Sequence, residues 1–211
     1  MKIRRYLMLV AACTFFLGKS IAANNEKPFV IPELQEWRGA QGMFTPSATS
    51  RIVWLGKDSA VARVANQFAE DYETMFGRKL AVVQGRASAG DFVFSLSGDR
   101  QLGEEGYAVR IADRVSISAP KAKGLYWATR TILQMTEQNS DQALPKGAVR
   151  DYPDYAIRGF MMDCGRKFIP MDFLRDYVKM MAYYKMNTFQ VHLNDNAFKQ
   201  YYEHDWNKTY S

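Results

Sequence analysis

Asp163, Asn194, Asp195 and Asn196 carry the polar groups best placed to do chemistry, because each stands where an apolar run gives way to polar residues. Carboxylates and amides at such points can bind hydroxyl-rich ligands or move protons. Cys164 stands beside Asp163, where a small buried packing role is expected in preference to that of a nucleophile. Glu203, His204 and Asp205 form a further acid-histidine group, but spacing places no third ligand with them and loop surface is the expectation. Adjacent acids occur at Glu70-Asp71 and Glu104-Glu105, and these read as solvated surface charge.

The elements that must position these groups follow from periodicity. Residues 157–162 form a nearly continuous apolar run, as expected of a parallel strand covered on both faces. A polar cluster at 163–167 ends it. After Pro170, the apolar residues Phe173, Leu174, Tyr177, Val178, Met181 and Tyr184 recur at helical spacing, with Asp172, Arg175, Asp176, Lys179 and Lys185 largely between them. Residues 188–193 return to an extended pattern rich in β-branched and aromatic side chains. The order is strand, helix, strand. In a barrel of such units the reactive groups lie at the carboxyl ends of the strands, where Asp163 and the 194–196 cluster fall.

Arg158-Gly159, Asp163, Arg166-Lys167-Phe168, Lys185-Met186-Asn187 and His192-Leu193-Asn194-Asp195 resemble, in order and spacing, the opening of the family 20 glycoside hydrolase barrel, over about forty residues. Members of that family are β-N-acetylhexosaminidases. The resemblance implies exo-hydrolysis of terminal β-linked N-acetylglucosamine or N-acetylgalactosamine with retention, the substrate's own acetamido oxygen attacking the anomeric carbon. It implies an adjacent Asp-Glu pair on a later barrel strand, which no residues of this chain match. It assigns Arg158 to substrate hydroxyls, with a structural ion pair at the barrel floor as the alternative. Asp195 is implied to hold a histidine that steadies the catalytic acid, and that histidine has no match here. His192 is either a contributor to the site or a hydrogen-bonded core residue. Asp163 and Arg166 are expected to pair and brace the first loop. Gln190, Asn196 and Lys167 depart from the family pattern, which leaves linkage and epimer preference open.

Upstream, residues 28–139 form a separate unit. Residues 59–76 and 121–136 read as helices, and 51–55, 80–84, 91–97, 107–112 and 114–119 as short strands, with a tight hairpin at 111–115. The expected result is a small α+β domain, two helices on an antiparallel sheet, similar to the domain that precedes the family 20 barrel. Residues 140–156, with Pro145, Gly147 and Pro153, read as the linker, and 157–211 as the start of an incomplete (β/α)8 TIM barrel, ending in the second strand region.

Composition agrees with an ordinary globular chain: 211 residues, 47% hydrophobic and 24% charged. The net charge is +6, but Lys2, Arg4, Arg5 and Lys19 account for four of those charges inside an acid-free leader, leaving about two. That balance argues against nucleic acid as a partner. Residues 1–23 carry a basic start, an apolar stretch at 7–17 and small residues suited to cleavage, so they read as a signal peptide. The stretch is too short to span a membrane. Export to a bacterial periplasm or cell surface is expected, and Val10-Ala11-Ala12-Cys13 raises a lipoprotein alternative through Cys13. Beyond the leader, Cys164 is the one cysteine, so no internal disulfide is expected. No metal or organic cofactor is implied; the expected partner is a glycan with a terminal N-acetylhexosamine.

Two other function classes stand beside the hydrolase. One is a non-catalytic sugar- or partner-binding module using Trp37, Trp54 or Trp127 as stacking faces, against which burial in the core is weighed. The other is a different barrel glycosidase with the same leading domain. Taken alone, the 211-residue chain is expected to be inert and prone to aggregate, because two barrel strands leave open edges. Steady turnover of an aryl N-acetyl-β-glucosaminide by this chain would overturn that expectation.

Overall fold

The structure, a computed structural model, describes residues 23–193. Residues 1–22, with Cys13 and nearly all of the expected leader, and the segment carrying Asn194, Asp195, Asn196, Glu203, His204 and Asp205 lie outside the described residues.

The first domain contains strands β1 (Glu36–Phe44), β2 (Arg51–Trp54), β3 (Ala81–Gln84), β4 (Phe92–Leu96), β5 (Tyr107–Ile111), β6 (Val115–Ala119) and β7 (Leu144–Asp151), with helices α1 (Ser59–Phe76) and α2 (Ala122–Glu137). The strands form one seven-stranded sheet in the order β1-β7-β5-β6-β4-β2-β3. It is mixed, a correction to the expected antiparallel sheet. β2 pairs in parallel with both β3 and β4, and β4 in parallel with β6, whereas β5-β6, β5-β7 and β1-β7 are antiparallel. The 18-residue α1 lies between β2 and β3 in the chain, long enough for the crossover that parallel neighbours require.

α1 starts where Asp58 accepts a hydrogen bond from the Ala60 N–H and stops where Gly77 takes a left-handed conformation, φ 67°, its N–H reaching the Glu73 carbonyl. Its inner stripe of Val61, Ala65, Phe68 and Tyr72 packs into the sheet, and Phe68 meets Tyr72, Phe92 and Phe94 at centroid separations of 5.5–5.6 Å.

The segment read as a linker is another correction: residues 144–151 are β7, between β1 and β5 in the sheet. Its glycine and proline are positional. A side chain at Gly147 would come within 2.4 Å of the Trp37 ring, which lies across it, and Pro145 sits opposite Met43 beside a register shift.

α2 is buried from Gly124 to Thr136 with the single exception of Tyr126. One face meets the sheet and α1. The other faces a second unit: β8 (Gly159–Asp163), α3 (Met171–Tyr183) and β9 (Thr188–His192), with β8 and β9 paired in parallel in register from Gly159↔Thr188 to Asp163↔His192. This is the expected strand-helix-strand. Among the described residues, no helix is long and apolar enough to cross a membrane.

Gly124 lets α2 approach the segment before β5, since a Cβ there would sit 2.2 Å from the Gly106 carbonyl oxygen and 2.9 Å from Ala119 Cβ. Gly124→Ala is therefore expected to cost about 1–3 kcal/mol in denaturant unfolding. Gly98→Ala, whose Cβ meets nothing within 4 Å, should stay within about 0.5 kcal/mol.

Candidate active site and the seam beneath it

The two ends of the β8-β9 pair carry different chemistry. At the carboxyl end, Asp163 Oδ1 accepts hydrogen bonds from the Gly165 N–H at 3.0 Å and the Arg166 N–H at 3.2 Å, closing a tight turn, while Oδ2 lies 3.3 Å from Arg166 Nη1. The structure thus brings Asp163 and Arg166 together. His192 is the register partner of Asp163, and its carbonyl accepts the Cys164 N–H at 2.8 Å. The Arg166 side chain is 74% exposed, at the end of the unit where barrel enzymes assemble their sites.

Arg158 is at the other end. Its Nε–H donates to the Lys185 carbonyl at 2.7 Å, Nη1 to the Tyr155 carbonyl at 2.8 Å and Nη2 to Glu105 Oε2 at 2.5 Å, and its guanidinium lies 5.4 Å from the Trp127 ring centroid. It precedes β8, one full strand length from Asp163. The ion pair considered for it at the barrel floor is present, with Glu105.

Glu105 overturns the surface reading of the Glu104-Glu105 pair: it is 9% exposed and gathers Lys123 Nζ at 2.8 Å, Arg158 Nη2, and Asn187 Nδ2 at 3.3 Å. Burial alone would raise its carboxyl, but the hydrogen bonds from Lys123, Arg158 and Asn187 outweigh it and hold the group below the usual carboxylate range. Of the other acid pair, Asp71 bonds the buried Arg130.

A second cluster lies alongside. Lys185, 6% exposed and at φ 59°, donates from Nζ to Asp151 Oδ2 at 3.0 Å and to the Tyr107 hydroxyl at 2.8 Å. Tyr107 in turn donates to Asp151, which leaves the Thr131 hydroxyl, 2.5 Å away, to donate to Tyr107. Burial lowers the Lys185 pKa against the pull of Asp151, and burial followed by the Asp151 charge pushes the Tyr107 phenol well up. Tyr107, Trp127, Asp151, Tyr155, Arg158 and Lys185 border a cavity of about 260 Å³ on this seam. Among the described residues, no group of three His, Cys, Asp or Glu could hold a metal ion.

Trp127 is buried, and Trp37 and Trp54 pack against the core, with Trp37 Nε1 donating to the Asn25 carbonyl. Sequence reasoning missed Glu105, Asp151 and Lys185, whose partners in the two clusters lie 18 to 82 residues away. The Lys185-Met186-Asn187 run was legible, but only as a match.

A mixed α/β domain feeding a parallel strand-helix-strand, with Asp163 and Arg166 at its carboxyl end, has the layout of a leading domain joined to the start of a (β/α) barrel. Residues 27–152 match the description "Glycosyl hydrolase family 20, domain 2", and residues 155–201 match "Glycosyl hydrolase family 20, catalytic domain". The chain belongs to glycosyl hydrolase family 20. It is 36% identical over 104 residues to a β-N-acetylhexosaminidase of Cellulomonas fimi, covering 48% of this chain and 21% of that protein. It is 41% identical over 76 residues to a β-hexosaminidase of Akkermansia muciniphila, covering 35% and 15%. A solved Streptomyces plicatus β-hexosaminidase, in complex with GlcNAc as product, superposes with a TM-score of 0.73 at 25% identity, over 82% of this chain and 36% of that one. A β-N-acetylhexosaminidase from Bacteroides fragilis shares the fold, with a TM-score of 0.64 at 21% identity over 78% and 33%. The chain therefore spans about a third of these solved structures and about a fifth or less of the two curated relatives.

Because the folded-state pKa of Glu105 is depressed, its contribution to stability is complete above the ordinary glutamate value of about 4.3 and is lost as pH falls through the folded value. The stability difference between the wild type and Glu105→Gln should accordingly be constant near pH 7 and shrink below about pH 4, followed by urea unfolding across pH. Lys185→Met leaves Asp151 buried without its cation and should cost about 3–5 kcal/mol near neutral pH in the same measurement.

Proposed function

We propose that the chain supplies the amino-terminal domain and the opening of the catalytic barrel of an exported, exo-acting β-N-acetylhexosaminidase, releasing terminal N-acetylglucosamine or N-acetylgalactosamine. The observation that carries this reading is the turn after β8, where one carboxylate, Asp163, holds two backbone N–H groups and the Arg166 guanidinium together at the reactive end of the first barrel strand. Hydroxyl recognition at this end falls to Arg166. Its planar fork can grip two vicinal oxygens, and Asp163 limits its freedom before a sugar arrives. Arg158, committed at the floor, does not share that task.

The chemistry follows from the family. The acetamido oxygen of the substrate attacks the anomeric carbon, an oxazolinium forms, and an Asp-Glu pair on a later strand orients the acetamide and protonates the leaving oxygen. Such a pair is not matched among these 211 residues, so turnover requires the barrel strands that carry it. The basic and apolar leader supports export, and a terminal N-acetylhexosamine on a glycan is the substrate class.

The open reading frame that carries this chain, expressed whole, should hydrolyse an aryl N-acetyl-β-glucosaminide, and absence of turnover would overturn the assignment. In that protein Arg166→Ala should lower kcat/KM about tenfold to a hundredfold, as expected for lost charge-assisted hydrogen bonds, with little change in Tm. Arg158→Met should chiefly lower Tm. The reverse pattern would return the sugar contact to Arg158.

A further inference from the structure

The β8-α3-β9 unit has little core of its own. Met181 is the one buried residue of α3, and Phe160, Met161, Phe173, Val178 and Met180 are all exposed. A two-stranded sheet of this kind is marginal in isolation. Its attachments to the first domain gather at one end. Arg158 and Asn187 bind Glu105, Lys185 binds Asp151 and Tyr107, the Tyr183 carbonyl accepts from Gln134 Nε2 at 2.9 Å, and the Tyr183 hydroxyl donates to Glu137.

The Glu105 contact falls where strand register is set. The Arg158 carbonyl accepts the Asn187 N–H at 2.9 Å and the Thr188 N–H at 3.3 Å, and Asn187 Oδ1 accepts the Arg158 N–H at 2.9 Å. These bonds lock the start of β8 to the start of β9. A single carboxylate of the first domain thus grips both residues of the lock. Apolar burial alone is non-directional and would tolerate a slipped pair, whereas a slip of one residue here would separate Arg158 from Asn187 and invert the faces of β9.

We propose that the first domain has a further function as an assembly template: through Glu105, Asp151 and Gln134 it holds the first strand-helix-strand by its amino end and in register. The apolar face and the two outer strand edges of the unit stay open to receive the remaining strands of the barrel. The solved Streptomyces plicatus structure matches 82% of this chain over 36% of its own length, so the occupant of that open surface is the rest of a family 20 barrel. What adds to the unit rests on the barrel reading given above; the hold on the unit does not.

Hydrogen exchange followed by mass spectrometry on the 211-residue chain tests the hold directly. In the wild type, the amides of β8 and β9 should be protected. In Glu105→Ala, and in Asn187→Ala, which leaves every residue of the first domain in place, that protection should fall about tenfold to a hundredfold while β4 and β6 keep theirs. Three results would overturn the template. They are unprotected β8 and β9 in the wild type, unchanged protection in both variants, or loss in step across β4, β6, β8 and β9 in both variants, which would make the halves one cooperative body. A failure of the hydrolase reading would show in the activity of the whole protein and would leave these exchange rates untouched.

Discussion

Helix α2 has almost no solvent face, and the organisation of the chain follows from having to cover it on both sides. Leu125, Ala128, Ile132 and Leu133 are satisfied by the sheet and α1, as apolar side chains require. The opposite side carries Trp127, whose ring faces the Arg158 guanidinium, and Arg130, Thr131 and Gln134, whose polar groups are buried with partners. Arg130 finds Asp71, Thr131 finds Tyr107, and Gln134 takes both the N–H and the carbonyl of Ile31 together with the Tyr183 carbonyl. The first two of these partners belong to α1 and β5 of the first domain, and the Gln134 bond to Tyr183 carries the contact across to the barrel opening.

That attachment divides the labour along one pair of strands. The floor is rich in charge and internally paired: Arg158 bonds Glu105 and two backbone carbonyls, and Lys185 bonds Asp151 and Tyr107. Five residues further along β8, Asp163 shapes a turn that leaves a guanidinium facing outward. Two arginines eight residues apart in sequence thus sit in different surroundings, one tied to Glu105 and backbone carbonyls and one paired with Asp163 at the exposed end.

How much of this could be read beforehand depended on whether the deciding contact was local. α1 was legible to the residue because its apolar stripe and terminating glycine all lie within twenty residues of chain. The parallel strand pair was legible because a nearly continuous apolar run at 157–162 and a β-branched and aromatic stretch at 188–193 flank a helical pattern. β1 was not, since Glu36, Arg38, Gly39 and Gly42 break any alternation, and β7 was taken for a linker because Pro145 and Gly147 signal loops unless Trp37 is known to lie across the glycine. Strand direction in the first sheet was out of reach for another reason: period-two patterning is the same for parallel and antiparallel neighbours. In the site, Asp163 and Arg166 are three residues apart and their pairing was expected, whereas the resemblance could not say which end of β8 the Arg158 side chain serves. Glu105 looked like a solvated acid because its three partners come from α2, the start of β8 and the start of β9.

The seam also bears on how such a chain can recombine in evolution. The two family matches meet between residues 152 and 155, and a crossover there would appear to exchange whole modules. It would instead separate Asp151 and Glu105 from Lys185, Arg158 and Asn187, leaving buried acids in one parent's half and buried cations in the other's. A chimera joined there keeps these ion pairs only where both parents carry them, whereas a joint after β9 draws each pair from a single parent.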